Sequence, residues 1–260
     1  MEDAVEKFSI FGGVGWGKID TTKPTFELIE SFILQDYHYI RNDISELTSG
    51  LPLYHTILTA IALSDGKIHA VYKRANVTQD VGDKAVEDLI ERGIIYKINS
   101  PKKFTSWAQS EKIDPRLAFH TPFLRFWFAF ISPLFQGIKN GDFKEVKERW
   151  ENRKQEFFSD TFTLLAQALV DAKPYFDREV EFTLYKEEND TILVGSAKYT
   201  NTKIKKSELT RLKELATKAN IEATHFCIVA KKGFSSELKA LKGKEVQLLS
   251  LKNFKQLLEN

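Results

Sequence analysis

Over the first two-thirds of the chain apolar residues recur mainly at helical spacing, and over the last third short apolar and alternating runs are interleaved with helical ones. Thr25 to Leu34 reads as an amphipathic helix. Leu53 to Leu63 reads as another through Ile57, Leu58, Ile61 and Ala62, and Lys67 to Ala75 as a short one before the turn Asn76-Val77-Thr78. Gln79 to Arg92 is predicted as a third, with Val81, Ala85, Val86, Leu89 and Ile90 inward and Gly93 as its stop. Ile94 to Ile98 then reads as a strand, turned by Asn99-Ser100-Pro101. Leu117 to Phe135 is the most apolar stretch, but His120, Pro122, Arg125 and Pro133 interrupt it, so it is expected to be a buried helix and not a membrane span. Phe157 to Ala172 is predicted as a helix with Phe158, Phe162, Leu165, Ala166 and Leu169 on one face, after the charged helical segment Lys139 to Glu156. A hairpin, a helix through Leu209, Leu212, Leu215 and Ala216, the strands Thr224 to Ala230 and Glu245 to Leu249, and two more helices follow. The expected fold class is α/β (α+β) with a central mixed sheet.

Three helices followed by a wing form a common DNA-reading module. Residues 51–110 accordingly read as a winged helix-turn-helix, between an N-terminal helical segment (1–50) and linking helices (111–155). The surface of its third helix argues against base reading: Asp80, Asp83, Glu87, Asp88 and Glu91 outnumber Lys84 and Arg92, and phosphates repel an acidic helix. A structural or protein-binding role suits that surface. Lys67, Lys73, Arg74, Lys97, Lys102 and Lys103 leave flanking phosphate contacts open.

The chemistry concentrates in the hairpin. Glu179-Val180-Glu181-Phe182-Thr183-Leu184-Tyr185 alternates charged and apolar, the loop Lys186 to Asp190 follows, and Thr191-Ile-Leu-Val-Gly-Ser-Ala-Lys-Tyr-Thr200 returns. Gly195 would let another backbone or a ligand come close. Ser196 and Lys198 are two apart and leave one face of an extended strand, as do Glu179 and Glu181. A carboxylate on one strand and a lysine on the next suit a metal-dependent hydrolase: the acid holds the cation and the lysine steadies the water or the developing charge.

This hairpin resembles the restriction-endonuclease-like superfamily, whose motif is an Asp followed by Glu-x-Lys on the next strand. Within that superfamily it is similar to the C-terminal domain that follows the ATP-binding domain of archaeal-type ATPases. Gly195-Ser196-Ala197-Lys198-Tyr199-Thr200-Asn201 stands where G-E-C-K-W-T-N is expected, Glu179-Val180-Glu181 where E-I-D is expected, and Phe123-Leu124-Arg125-Phe126-Trp127-Phe128 matches F-L-R-F-W-F. Phe11-Gly12-Gly13-Val14 resembles the segment that closes the ATPase part in those longer relatives. The resemblance implies a restriction-endonuclease-like domain over residues 156–260, with Lys198 as the retained catalytic lysine. It also implies exchanges at three acidic positions: Glu181 for Asp, Ser196 for Glu, and Thr163 for the helix Glu that approaches the metal. Ser196 cannot supply a negative ligand at neutral pH.

Charge is polarised along the chain. Residues 1–50 carry 4 basic and 9 acidic side chains, a net −5, and residues 191–260 carry 14 and 6, a net +8, within an overall +2. The basic end is expected to meet a polyanion or the acidic N-terminal part of another copy. Gly12 to Lys18 fits G-x-x-x-x-G-K, but Ile19 follows where Ser or Thr would hold magnesium, so ATP binding is not expected. The five histidines show no H-x-x-x-H spacing, and the single Cys227 lies in an apolar run, as a buried thiol of a reducing, cytoplasmic protein would.

The favoured function is therefore a nucleic-acid-associated protein with a winged helix and a catalytically degenerate nuclease-like domain. It would bind DNA in a salt-dependent way through Lys203, Lys205, Lys206, Arg211 and Lys213, without a cofactor. The alternatives are a magnesium-dependent DNA endonuclease that holds Mg2+ on Glu181 and Glu179, and a non-enzymatic scaffold that binds protein.

Overall fold

In the computed structural model the described residues are 1–101 and 113–258, so the sequence expectations for Lys102 and Lys103 lie outside them. The protein is mixed α/β, with a two-stranded antiparallel sheet and a five-stranded mixed sheet. Contacts divide it into two compact units. One, here the helical unit, comprises Glu6–Asn99 and Asp114–Lys154. The other, the sheet unit, comprises Met1–Val5, Ser100, Pro101, Ile113 and the chain from Gln155 onward.

Helix α1 is Glu2–Phe11, α2 is Thr25–Ile29 prolonged by a π-helical turn Glu30–Leu34, and α3 is Tyr37–Leu47. Pro52 opens α4 (Pro52–Ala62) at a position where its missing N–H costs nothing. Asn76, left-handed at φ 54°, caps α5 (Ile68–Ala75). Helix α6 is Gln79–Glu91, ended by Gly93 at φ 68°. One inward position of α6 differs from expectation. Gly82, not Val81, faces the core, because the Tyr72 ring lies so close that a Cβ at 82 would sit 2.6 Å from it; Val81 is 44% exposed.

Strand β1 (Ile95–Ile98) pairs antiparallel with β2 (Arg116–Phe119) from Ile95↔Phe119 to Ile98↔Arg116, and Lys67 bridges to Arg116. The start of the most apolar stretch is thus a strand, where the sequence suggested helix throughout. Pro122 explains the change: it can open a helix but not sit inside one, and Thr121 before it is extended. Helix α7 (Pro122–Phe126) then runs through a π-helical turn (Trp127–Ile131) and a 3-10 turn (Ser132–Leu134) into α8 (Phe135–Lys139). Phe126, Trp127, Phe128 and Phe130 are fully buried and form the aromatic centre of the helical unit.

Helix α9 (Lys144–Val170) is continuous over 27 residues. In the sheet unit β3 (Lys173–Phe176), β4 (Glu181–Glu188) and β5 (Thr191–Lys198) form an antiparallel meander. Helix α10 (Lys206–Lys218) leads to β6 (His225–Ala230), which lies parallel to β5. Helix α11 (Ser236–Lys239) leads to the parallel β7 (Val246–Ser250) and a 3-10 turn, Leu251–Leu258. Leu209, Leu212 and Ala216 of α10 pack on Val194, Phe226, Ile228 and Ala230. Phe158 and Phe162 of α9 meet Tyr199, which alternation places on the opposite face. Gly195 is required by its neighbour: a Cβ there would stand 2.1 Å from the carbonyl oxygen of Cys227. Cys227 itself is buried, which pushes its thiol up to about 12. Among the described residues no helix is long and apolar enough to cross a membrane.

Candidate functional site

The hairpin register pairs Leu184 with Gly195 and Glu188 with Thr191, with Asn189 at φ 51° in the tight turn. The ladder stops at Leu184, where a side chain takes over: the Thr183 hydroxyl accepts the Ala197 N–H at 2.9 Å. Gln167 of α9 donates to the Thr183 carbonyl at 2.9 Å, holding the strand where it leaves its partner. This irregularity decides the position of Glu181. Val180 and Phe182 lie in the core cluster with Val194 and α10, so Glu181 between them turns away from that face, and its backbone pairs with Phe176 of β3. Among the described residues no ion pair joins Glu181 to Lys198. Glu179 pairs with Lys218 of α10 at 3.1 Å.

Ser196 and Lys198 do share a face, and both reach the same carboxylate. The Ser196 hydroxyl donates to Oε1 of Glu208 at 2.7 Å, and Lys198 Nζ lies 3.4 Å from that oxygen. Arg211, one helical turn on, donates Nη2–H to Oε1 at 2.7 Å and Nε–H to Oε2 at 3.1 Å. The Glu208 side chain is 14% exposed. Burial by itself would raise its pKa, but the hydrogen bonds from Arg211 and Ser196 and the charges of Lys198 and Arg211 outweigh it. The carboxyl is held below its ordinary range.

Glu208 escaped the sequence reading. It stands in the first turn of a helix whose neighbours Lys206, Arg211 and Lys213 drew attention as a basic surface. The only local signal was its three-residue spacing from Arg211, which also fits a solvated pair. Chemically the cluster is closed. With three donors on its two oxygens, Glu208 has little lone-pair capacity left for a metal ion. Among the described residues no three His, Cys, Asp or Glu side chains are grouped as a metal site would need.

Thr163 lies elsewhere: on α9, half-buried, its hydroxyl bonded to the Ser159 carbonyl at 2.9 Å. Of the five basic residues expected to bind nucleic acid, Lys203, Lys205 and Lys206 are exposed on the approach to α10, with no ion pair among the described residues. Arg211 is committed to Glu208, and Lys213 lies over the Phe226 ring, 5.4 Å from its centre. The glycine run Gly12 to Lys18 follows a helix, not a strand. The Gly12 carbonyl accepts from the Phe123 N–H, and the Trp16 indole donates to the Phe11 carbonyl at 2.9 Å while packing edge-on against Phe123.

No protein-family model, curated protein or solved structure matches the chain.

Proposed function

We propose that the protein associates with nucleic acid non-catalytically: a winged-helix module joined to a restriction-endonuclease-like domain whose catalytic positions are degenerate. The observation that carries this reading is the contrast around β5. The carboxylate nearest Lys198 is engaged by Arg211 and Ser196, while Lys203, Lys205 and Lys206 stand exposed a few residues away, with no ion pair among the described residues. Three helices followed by paired strands, and a mixed sheet with its hairpin at the expected residues, support the two modules. Exposed lysines contact phosphates and carry little sequence information.

Anisotropy titration of a labelled DNA duplex tests the reading. Three phosphate contacts predict a loss of affinity of roughly 40-fold between about 50 and 200 mM salt. The combined change Lys203→Glu, Lys205→Glu, Lys206→Glu should remove most binding, and Lys84→Ala should leave it unchanged. Strand cleavage of single- or double-stranded DNA with magnesium or manganese is expected to be absent. Sequence-specific binding lost on Lys84→Ala or Gln79→Ala, and indifferent to the three lysines, would refute the proposal. The endonuclease alternative draws on one observation, that a carboxylate does lie beside Lys198. It requires Glu208 to be released, so metal-dependent cleavage by Arg211→Ala would favour it.

A further inference from the structure

The helical unit holds a cavity of about 620 Å³ that the nuclease-like reading does not use. Helices α3, α4 and α5 form its walls, together with the segment from Trp127 to Phe135. Its composition is one-sided. Arg41 and Arg74 both line it, both are exposed, and neither has an ion pair or hydrogen bond among the described residues. No Asp or Glu stands among the described lining residues, although the first fifty residues of the chain carry a net −5.

The remainder of the lining is mainly apolar. Tyr37 and Trp127 are buried and stack with ring centres 5.7 Å apart and planes 7° from parallel, while Phe135 stands 46% exposed at the rim. His55 is fixed as well. The Thr48 hydroxyl donates its one hydrogen to the Ile44 carbonyl at 2.8 Å, so it accepts from His55 Nε2–H at 2.9 Å. Burial, and to a lesser degree the Arg41 charge, hold that imidazole below its ordinary pKa. Polar hydroxyls of Thr56, Thr59 and Ser45 complete the wall. An apolar cavity of this size with a few convergent polar groups is the ordinary form of a small-molecule site.

We propose that this cavity binds a small organic anion, with its carboxylate or phosphate group between Arg41 and Arg74 and its apolar body against Phe135. Guanidinium forks bind either oxyanion in bidentate fashion, so the headgroup is a matter for experiment. The inference concerns a different unit from the DNA-binding reading and stands or falls independently of it.

Isothermal titration of the full chain with benzoate, phenyl phosphate, inorganic phosphate and benzyl alcohol tests it. One saturable site for an aromatic anion is expected, at least tenfold tighter than for benzyl alcohol, which lacks charge, or for inorganic phosphate, which lacks the apolar body. The ratio of benzoate to phenyl phosphate affinity then identifies the headgroup. Arg41→Gln and Arg74→Gln should each weaken binding about tenfold, and both together more, with melting temperatures unchanged because neither side chain makes an ion pair or hydrogen bond among the described residues. Absence of saturable binding by either aromatic anion would overturn the proposal. So would unchanged affinity in the double variant, or competitive displacement of the aromatic anion by a short DNA duplex, since the arginines would then serve a nucleic-acid backbone.

Discussion

In the sheet unit cations converge on carboxylates: Lys198 at the end of β5 and Arg211 of α10 on Glu208, and Lys231 and Lys232 just past β6 on Glu2. In the cavity of the helical unit Arg41 and Arg74 have no such partner among the described residues. Burial of Lys231 and of Glu208 accounts for the centre of each group. The Lys231 side chain is 2% exposed and lies 4.0 Å from the centre of the Tyr199 ring, and Glu208 is 14% exposed. Charges withdrawn from water that far are tolerated only with partners. The cavity arginines are exposed, so solvent can satisfy them without a partner. Buried pairing is thus a structural matter here, and an exposed cation without a partner is left open to other roles. The exposed lysines 203, 205 and 206 likewise have no ion pair among the described residues.

The largest expected effect tests the frame that holds the paired side. Gly195→Ala should cost about 3 kcal/mol or prevent folding of the sheet unit, because its Cβ would meet the Cys227 carbonyl in the centre of the sheet. Urea denaturation followed by circular dichroism measures it, and a loss near zero would mean that the β5–β6 approach is wrong. Glu208→Ala should cost about 2–3 kcal/mol, since it leaves Ser196, Lys198 and Arg211 without their shared acceptor. The same carboxylate gives the pH signature. Its folded pKa lies below its unfolded value, so the unfolded chain binds the extra proton. Its contribution is therefore complete above the ordinary carboxylate range near 4.5 and is lost as pH falls through the folded value. Wild type should lose stability over that acid window, and Glu208→Gln should show a flatter profile there.

Glu2→Ala should cost about 1–2 kcal/mol by leaving the Lys231 ammonium buried beside Tyr199 without its carboxylate. Lys231→Met, which removes the charge and keeps the stem, should cost less; the reverse order would show that the pair is a net stabiliser and not a solution to a burial problem. The smallest effect is on the unpaired side. Arg41→Gln and Arg74→Gln should each change stability by no more than about 0.5 kcal/mol while altering anion binding, and a larger loss would place them with the structural cations.

Local physics made much of the secondary structure legible. Helical periodicity located α4, α5 and α6 to within a few residues, because their apolar faces, Pro52, Asn76 and Gly93 act within single turns. Alternation likewise located the hairpin, and Gly195 announced a close approach without naming Cys227 as the neighbour. Pro122 was equally visible, yet the length of the apolar run masked its meaning, and the strand before it went unread.

What tertiary structure alone decided were the partnerships between distant residues. Ser196 and Lys198 could be seen to share a face, but that Glu208 would meet them depends on how α10 packs over β5. Glu181, read as their companion, is turned to the other face by a strand irregularity at Thr183 that no residue pattern marks. Arg41, His55, Arg74 and Trp127 carry no spacing that links them; helix packing brings them to one cavity. Sequence pattern fixes which side of an element is apolar, because that side must leave water. Which charges then face one another depends on the relative placement of elements far apart in the chain, and only the folded core sets that placement.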